Sequence, residues 1–291
     1  MTLRFLLALF VLFAAGTAQA QVAPFRSDRI VVEVQGRGPD VILIPGLAST
    51  AEVWRRTADR LDDRYRVHLV SVRGFGDLPV GANQSGAISG PVAGEVRRYI
   101  ASQGLSRPAL IGHSMGGQIA LRIAADARDG VGRVMVVDAS PFFPALVNPG
   151  ATVGDIEPIA QIAYQALIFF GDQALVDRGR ALRLELGNAS EALFNGMGWQ
   201  GGDRRVLARG LYEVMTLDLR HRLPDITAPV TVVYGWSRDD RSPRRDIDRL
   251  LRAAYSTLRR PARFEPIEGA EHMVMIDQPT RFMAAVERFL A

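Results

Sequence analysis

The sequence predicts an α/β fold: a mostly parallel central sheet flanked by helices, interrupted by a helical cap. Three observations predict it. Short apolar runs recur along the chain, helical patterns alternate with them, and one long interval contains no strand pattern. The runs are RIVVEVQ (29–35), DVILIPG (40–46), RVHLVSV (66–72), PALIGHS (108–114), RVMVVDAS (133–140), PVTVVYG (229–235) and ARFEPIEG (262–269). The central five are nearly continuous in apolar residues, as strands buried on both faces must be.

Helical patterns separate the runs. TAEVWRRTADRL (50–61) gathers Val53, Trp54, Ala58 and Leu61 on one side. GPVAGEVRRYIAS and GGQIALRIAADA follow; PRRDIDRLLRAAYSTL precedes the last run, and QPTRFMAAVERFLA closes the chain. Regular alternation of strand and helix is the signature of a parallel α/β sheet. The interval without a strand covers residues 143–222 and holds only helical stretches such as DIEPIAQIAYQALIFF and DRRVLARGLYEVMTLDL. Its length, about eighty residues, far exceeds an ordinary connection and predicts a cap over one end of the sheet. The α/β core is therefore expected over 21–142 and 223–291. The segment GRGPD (36–40) lacks a following helix and reads as a hairpin turn, not a phosphate loop.

Residues 1–20, MTLRFLLALFVLFAAGTAQA, have the form of a secretory signal peptide. A single early Arg4 precedes an apolar stretch too short to span a bilayer, and AQA at Ala18–Ala20 is a small-x-small cleavage site. The mature chain is expected to begin at Gln21, exported to a bacterial periplasm or beyond, with no stable membrane anchor after cleavage.

The chain has no cysteine, which excludes disulfides, Cys-based metal sites and lipidation through Cys. Every one of its 35 basic residues is arginine. Without lysine there is no Walker-A lysine, Schiff base or Ser–Lys dyad. The formal charge of +4 is a small excess spread among acidic residues, as in RRTADRLDDRYR. That pattern describes solvated helix faces and argues against a nucleic-acid partner. Four scattered histidines offer no metal-binding spacing, so neither metal nor cofactor is expected.

The chemistry concentrates in ALIGHSMGGQIALRIA (109–124). Ser114 ends a strand pattern and opens a helical one, between Gly112 and Gly116. A serine on such a strand–turn–helix is thrust above the sheet edge, next to helix N–H groups that favour an oxyanion. With its flanks, GHSMGG resembles the α/β-hydrolase superfamily, and the resemblance extends over essentially the whole mature chain. VILIPGLAST resembles the family's oxyanion loop, VHLVSVRGFGDLP the next strand and turn, PVTVVYGWSRDDRSP the acid-bearing strand, and IEGAEHMVMIDQPTRF the histidine-bearing end.

The resemblance implies a Ser, acid, His order. Ser114 is the expected nucleophile. Among the histidines, His68 lies inside a strand pattern, His113 adjoins the serine and His221 falls in a surface-like stretch. Only His272 follows the last strand, and it is the expected general base. For the acid, Asp239 fits the spacing back from Pro243; Asp240 is the first alternative. Asp138, ending VMVVDAS, is a further one, though capping a turn beside Ser140 and Pro141 is its plainer role. The oxyanion donors implied are the backbone N–H groups of Leu47 and Met115. The family often has His-Gly before the first of these, where this chain has Pro45-Gly46.

A serine nucleophile disfavours the family's dehalogenase and epoxide-hydrolase chemistry and suits hydrolysis of a small carboxylic ester, lactone or thioester through an acyl-serine. The expected partner is a small molecule with an apolar acyl or aromatic group, received by a pocket including Phe142, Phe143 and Met273. Two alternatives are a carbon–carbon bond hydrolase of the same fold and a periplasmic ligand-binding sensor with little turnover.

Overall fold

The computed structural model describes residues 24–181, 198–238 and 243–291. The expected signal peptide lies outside them. Each of the seven apolar runs forms a strand: β1 (Ile30–Gly36), β2 (Asp40–Ile44), β3 (Arg66–Val72), β4 (Ala109–His113), β5 (Arg133–Val137), β6 (Val230–Trp236) and β7 (Arg263–Glu268). They make one sheet in the order β1-β3-β2-β4-β5-β6-β7. Among the described strands only β1 pairs antiparallel, with β3.

Near-continuous apolarity of the central strands is explained by burial on both sides. Ile42, Ile44, Leu110, Val134, Val136, Val232 and Tyr234 face one core. Their neighbours Val41, Leu43, Ile111, Met135, Val137 and Val233 face the other. The period of two thus divides each run between two cores. The first core is covered by α2 (Ser89–Ser102), α3 (Met115–Ala127) and α6 (Arg244–Ala254). The second is covered by α1 (Arg55–Leu61), the short α7 (Val274–Asp277) and α8 (Pro279–Leu290).

Between β5 and β6 the described residues are helical or irregular. They include α4 (Val153–Ala181), which is broken at Gly171 where the backbone leaves helical geometry, and α5 (Arg204–Thr216). The Gly36–Asp40 turn is not a hairpin. β2 enters the sheet on the far side of β3, so the turn crosses the start of β3, where the Arg66 N–H donates to the Pro39 carbonyl at 3.0 Å.

This topology positions the site. After β2 the chain moves outward to β3, whereas the next strand, β4, returns to the other side of β2. The loops leaving β2 and β4 therefore diverge, opening a crevice at the carboxyl ends of the strands.

Candidate active site

Ser114 stands at the β4–α3 junction with φ 53° and ψ −121°, a backbone strain that a serine adopts only when its surroundings enforce it. The Ser114 N–H donates to the Val137 carbonyl at 2.9 Å, and its own carbonyl accepts from Gly117 N–H at 2.8 Å. Gly116 is required by close approach: a Cβ there would fall 2.3 Å from the Ile44 carbonyl oxygen. The turn therefore presses α3 onto the end of β2, and Ser114 is left 8% exposed.

His272 lies in the loop between β7 and α7. Its Nδ1 is 2.6 Å from Asp138 Oδ2, at the carboxyl end of β5. The other carboxylate oxygen of Asp138 accepts from the Gly235 N–H at 3.3 Å, and the Asp138 N–H donates to the Val233 carbonyl at 2.7 Å. Gly235 also admits the histidine loop, since a Cβ would stand 2.4 and 2.5 Å from the carbonyl oxygens of Ala270 and Glu271. Asp138 is thus the partner of His272, not the cap of a local turn. Asp239 and Asp240 lie outside the described residues.

The remaining histidines separate cleanly. His113 is fully buried, its Nε2–H donating to the His272 carbonyl at 2.9 Å, with ring centroids 4.6 Å apart. Burial, reinforced by the neighbouring His272, holds its pKa well below the ordinary imidazole value, so it stays neutral. Among the described residues His113 Nδ1 has no hydrogen-bond partner. His68 is buried between the Tyr99 hydroxyl (2.7 Å) and Asp40 (3.0 Å), and burial lowers its pKa despite that carboxylate. His221 is exposed.

Ser114, Asp138 and His272 share a cavity of about 560 Å³ with Leu47, Ala139, Phe143, Leu146, Leu211, Val214, Tyr234, Ile247, Leu250 and Leu251. Apart from the three reactive groups, the lining is apolar except for Tyr234, whose hydroxyl donates to Asp248. Of the three pocket residues expected from sequence, Phe143 lines this cavity. Phe142 is buried in a separate cluster with Ala145 and Ala151, under the Arg220 guanidinium. Met273 belongs to the core on the opposite side of the sheet. Leu47 reaches the cavity from the loop after β2, and Met115 opens α3.

Behind Asp138 stands a support that no sequence pattern marks. The Tyr255 hydroxyl, fully buried, donates to the Ala139 carbonyl at 2.9 Å. Burial, with the Asp138 carboxylate nearby, raises its pKa, so it remains a donor. Nothing in a tyrosine on a helical stretch announces that role. Among the described residues no group of three or more His, Asp or Glu is placed to hold a metal ion.

A serine on a strained elbow and a carboxylate-oriented imidazole in one apolar cavity can perform acyl transfer to water. Comparison with known proteins agrees with that chemistry. Residues 41–286 match the model of the alpha/beta hydrolase family. A pimeloyl-[acyl-carrier protein] methyl ester esterase from Vibrio atlanticus is 28% identical over 215 residues, covering 72% of this chain and 80% of the relative. The same-named enzyme from Aeromonas hydrophila is 27% identical over 267 residues, covering 90% and 99%. A thermophilic esterase from Thermogutta terrifontis, solved with malate bound, superposes with a TM-score of 0.68 at 21% identity, over 90% of this chain and 92% of that one. The chain belongs to the alpha/beta hydrolase family and is a carboxylesterase-like hydrolase.

Proposed function

We propose that this protein hydrolyses small, uncharged carboxylic esters through Ser114, with His272 as general base and Asp138 as the acid that orients it. The observation that carries the reading is the 2.6 Å contact between His272 Nδ1 and Asp138, in the cavity that also holds Ser114. Asp138 keeps the proton on Nδ1, so Nε2 offers its lone pair to the serine hydroxyl.

In the first half-reaction Ser114 Oγ attacks the ester carbonyl and its proton passes to His272 Nε2. The backbone N–H groups of Leu47 and Met115 hold the oxyanion, and collapse expels the alcohol carrying the proton back from Nε2. In the second half, water attacks the acyl-serine, with His272 again taking and returning the proton.

The apolar lining supports an aliphatic or aromatic acyl or alcohol group, and among the described residues it offers no cation to a substrate carboxylate. The curated relatives are named for a methyl ester carried on an acyl-carrier protein. A free ester is proposed here because residues 1–20 read as an export signal. Cleavage after Ala20 places the mature protein in a periplasm or outside the cell. The functional test is turnover of p-nitrophenyl butyrate by the wild type, Ser114→Ala and His272→Gln. The reading requires both variants to lose at least about 10³-fold in kcat; retention of activity by Ser114→Ala would refute it. N-terminal mass analysis of the exported protein should give Gln21.

A further inference from the structure

Residues 198–203 bring the chain from the cap into α5, and they do so across the loop that follows β2. The Gln200 N–H donates to the Ala48 carbonyl at 2.8 Å. The Gln200 side-chain oxygen accepts from both the Thr50 N–H (2.7 Å) and the Thr50 hydroxyl (2.9 Å). Between them, the Ser49 hydroxyl donates to the Gly198 carbonyl at 2.8 Å. Three consecutive loop residues are therefore bonded to one strap.

The loop needs such support. Ala48 has φ 58°, a left-handed conformation that costs an L-residue on the order of 1–2 kcal/mol, so its surroundings must hold it. Leu47 lies immediately before it, and its side chain occupies the space beside Gly210 of α5, where a Cβ would stand 2.5 Å from Leu47 Cδ1. The strap itself is anchored to the next loop: the Gly76 N–H donates to Gly201, and the Asp203 N–H to Gly74, at 2.9 and 2.8 Å.

We propose that Gln200 is a positioning residue: by bracketing Ala48–Thr50 it fixes the direction of the Leu47 N–H, so the cap's return segment sets oxyanion stabilisation. The inference rests on the reading of Ser114 and Leu47 given above. A small misdirection of a donor forfeits transition-state stabilisation while leaving the apolar cavity, and so ground-state binding, intact. A strap that merely attached the cap would affect stability or KM instead.

The test compares Gln200→Leu, which removes the acceptor, with Gln200→Glu, which keeps one. Two readouts are used: ester kinetics and affinity for an alkyl boronic acid, which forms a tetrahedral adduct on an active serine. Gln200→Leu should lower kcat about tenfold, leave KM within about twofold, and weaken the boronic acid by the same factor as kcat/KM. Gln200→Glu should stay within about twofold of wild type in all three. Unchanged kcat and boronate affinity in Gln200→Leu, or a change confined to KM, overturns the proposal. Should Gln200→Leu not fold, Ser49→Ala removes the adjacent strap bond and must show the same parallel loss, its absence being equally decisive. Failure of the underlying reading looks different: the wild type itself would then bind the boronic acid no better than Ser114→Ala.

Discussion

At Asp138 three constraints meet: a positive φ of 45°, a donor from Gly235 on one oxygen and the His272 ring on the other. A carboxylate held this way fixes both the tautomer and the direction of the imidazole. Asp138→Asn should therefore lower kcat by about 10⁴ with little change in KM, because the amide supports the wrong tautomer. Asp239→Asn and Asp240→Asn should each remain within about threefold of wild type; steady-state kinetics on the three variants checks this. His113 yields a second prediction. Its folded pKa is depressed, so the unfolded chain binds a proton that the native state refuses. The stability from keeping it neutral is fully present above the unfolded pKa, near 6.5, and is lost as pH falls below that toward the folded value. His68 acts in the same direction. Denaturant unfolding at pH 7.5 and 5.5 should show lower stability at the acid pH, with a smaller drop in His113→Gln. The strand ends that carry Ser114 and His272 are legible because local pattern identifies them. The contact between Asp138 and His272 is not, because β5 and β6 both end near acidic residues. The pairing is decided by where Gly235 lets the histidine loop cross, which is a tertiary fact.

Among the elements, the strands were legible and the connections less so. Seven apolar runs became seven strands, and the central five are the clearest because burial on both faces leaves few polar positions to blur them. The Gly36–Asp40 turn misled because a short Gly-Pro turn between strands looks the same whether the next strand pairs beside it or one place away. Helix α5 shows what sequence periodicity cannot reveal. Glu213, on that helix, accepts from the N–H groups of Ile88 and Ser89 at 2.8 and 2.7 Å, closing the N-terminus of α2. A carboxylate there satisfies two helix-end donors and opposes the helix dipole favourably. Glu213→Ala should cost about 1–2 kcal/mol, read as a lower midpoint in urea unfolding with an unchanged slope. Glu213→Gln should recover part of that loss.

For the whole molecule, the sheet supplies the reactive groups and the segment between β5 and β6 supplies much of the wall. Phe143, Leu146, Leu211 and Val214 come from that segment, while Ile247, Leu250 and Leu251 come from α6. Such a wall rewards apolar surface: each added methylene contributes about 0.8 kcal/mol until the cavity is full. A p-nitrophenyl ester series should thus gain roughly three- to fourfold in kcat/KM per carbon before falling. An acyl group ending in a carboxylate should lose at least about tenfold against its neutral counterpart, because no cation in the described wall receives it. The long interval between β5 and β6 is legible in the missing strand pattern, but which of its apolar residues face the cavity is not. Phe169 and Phe170, on α4, are exposed. The central claim remains the activated serine. It is tested most directly by intact-mass labelling with a fluorophosphonate, comparing the wild type with Ser114→Ala and Asp138→Asn. The account predicts one adduct on the wild type, none on Ser114→Ala and greatly slowed labelling of Asp138→Asn. An unlabelled wild type, or a labelled Ser114→Ala, would contradict it.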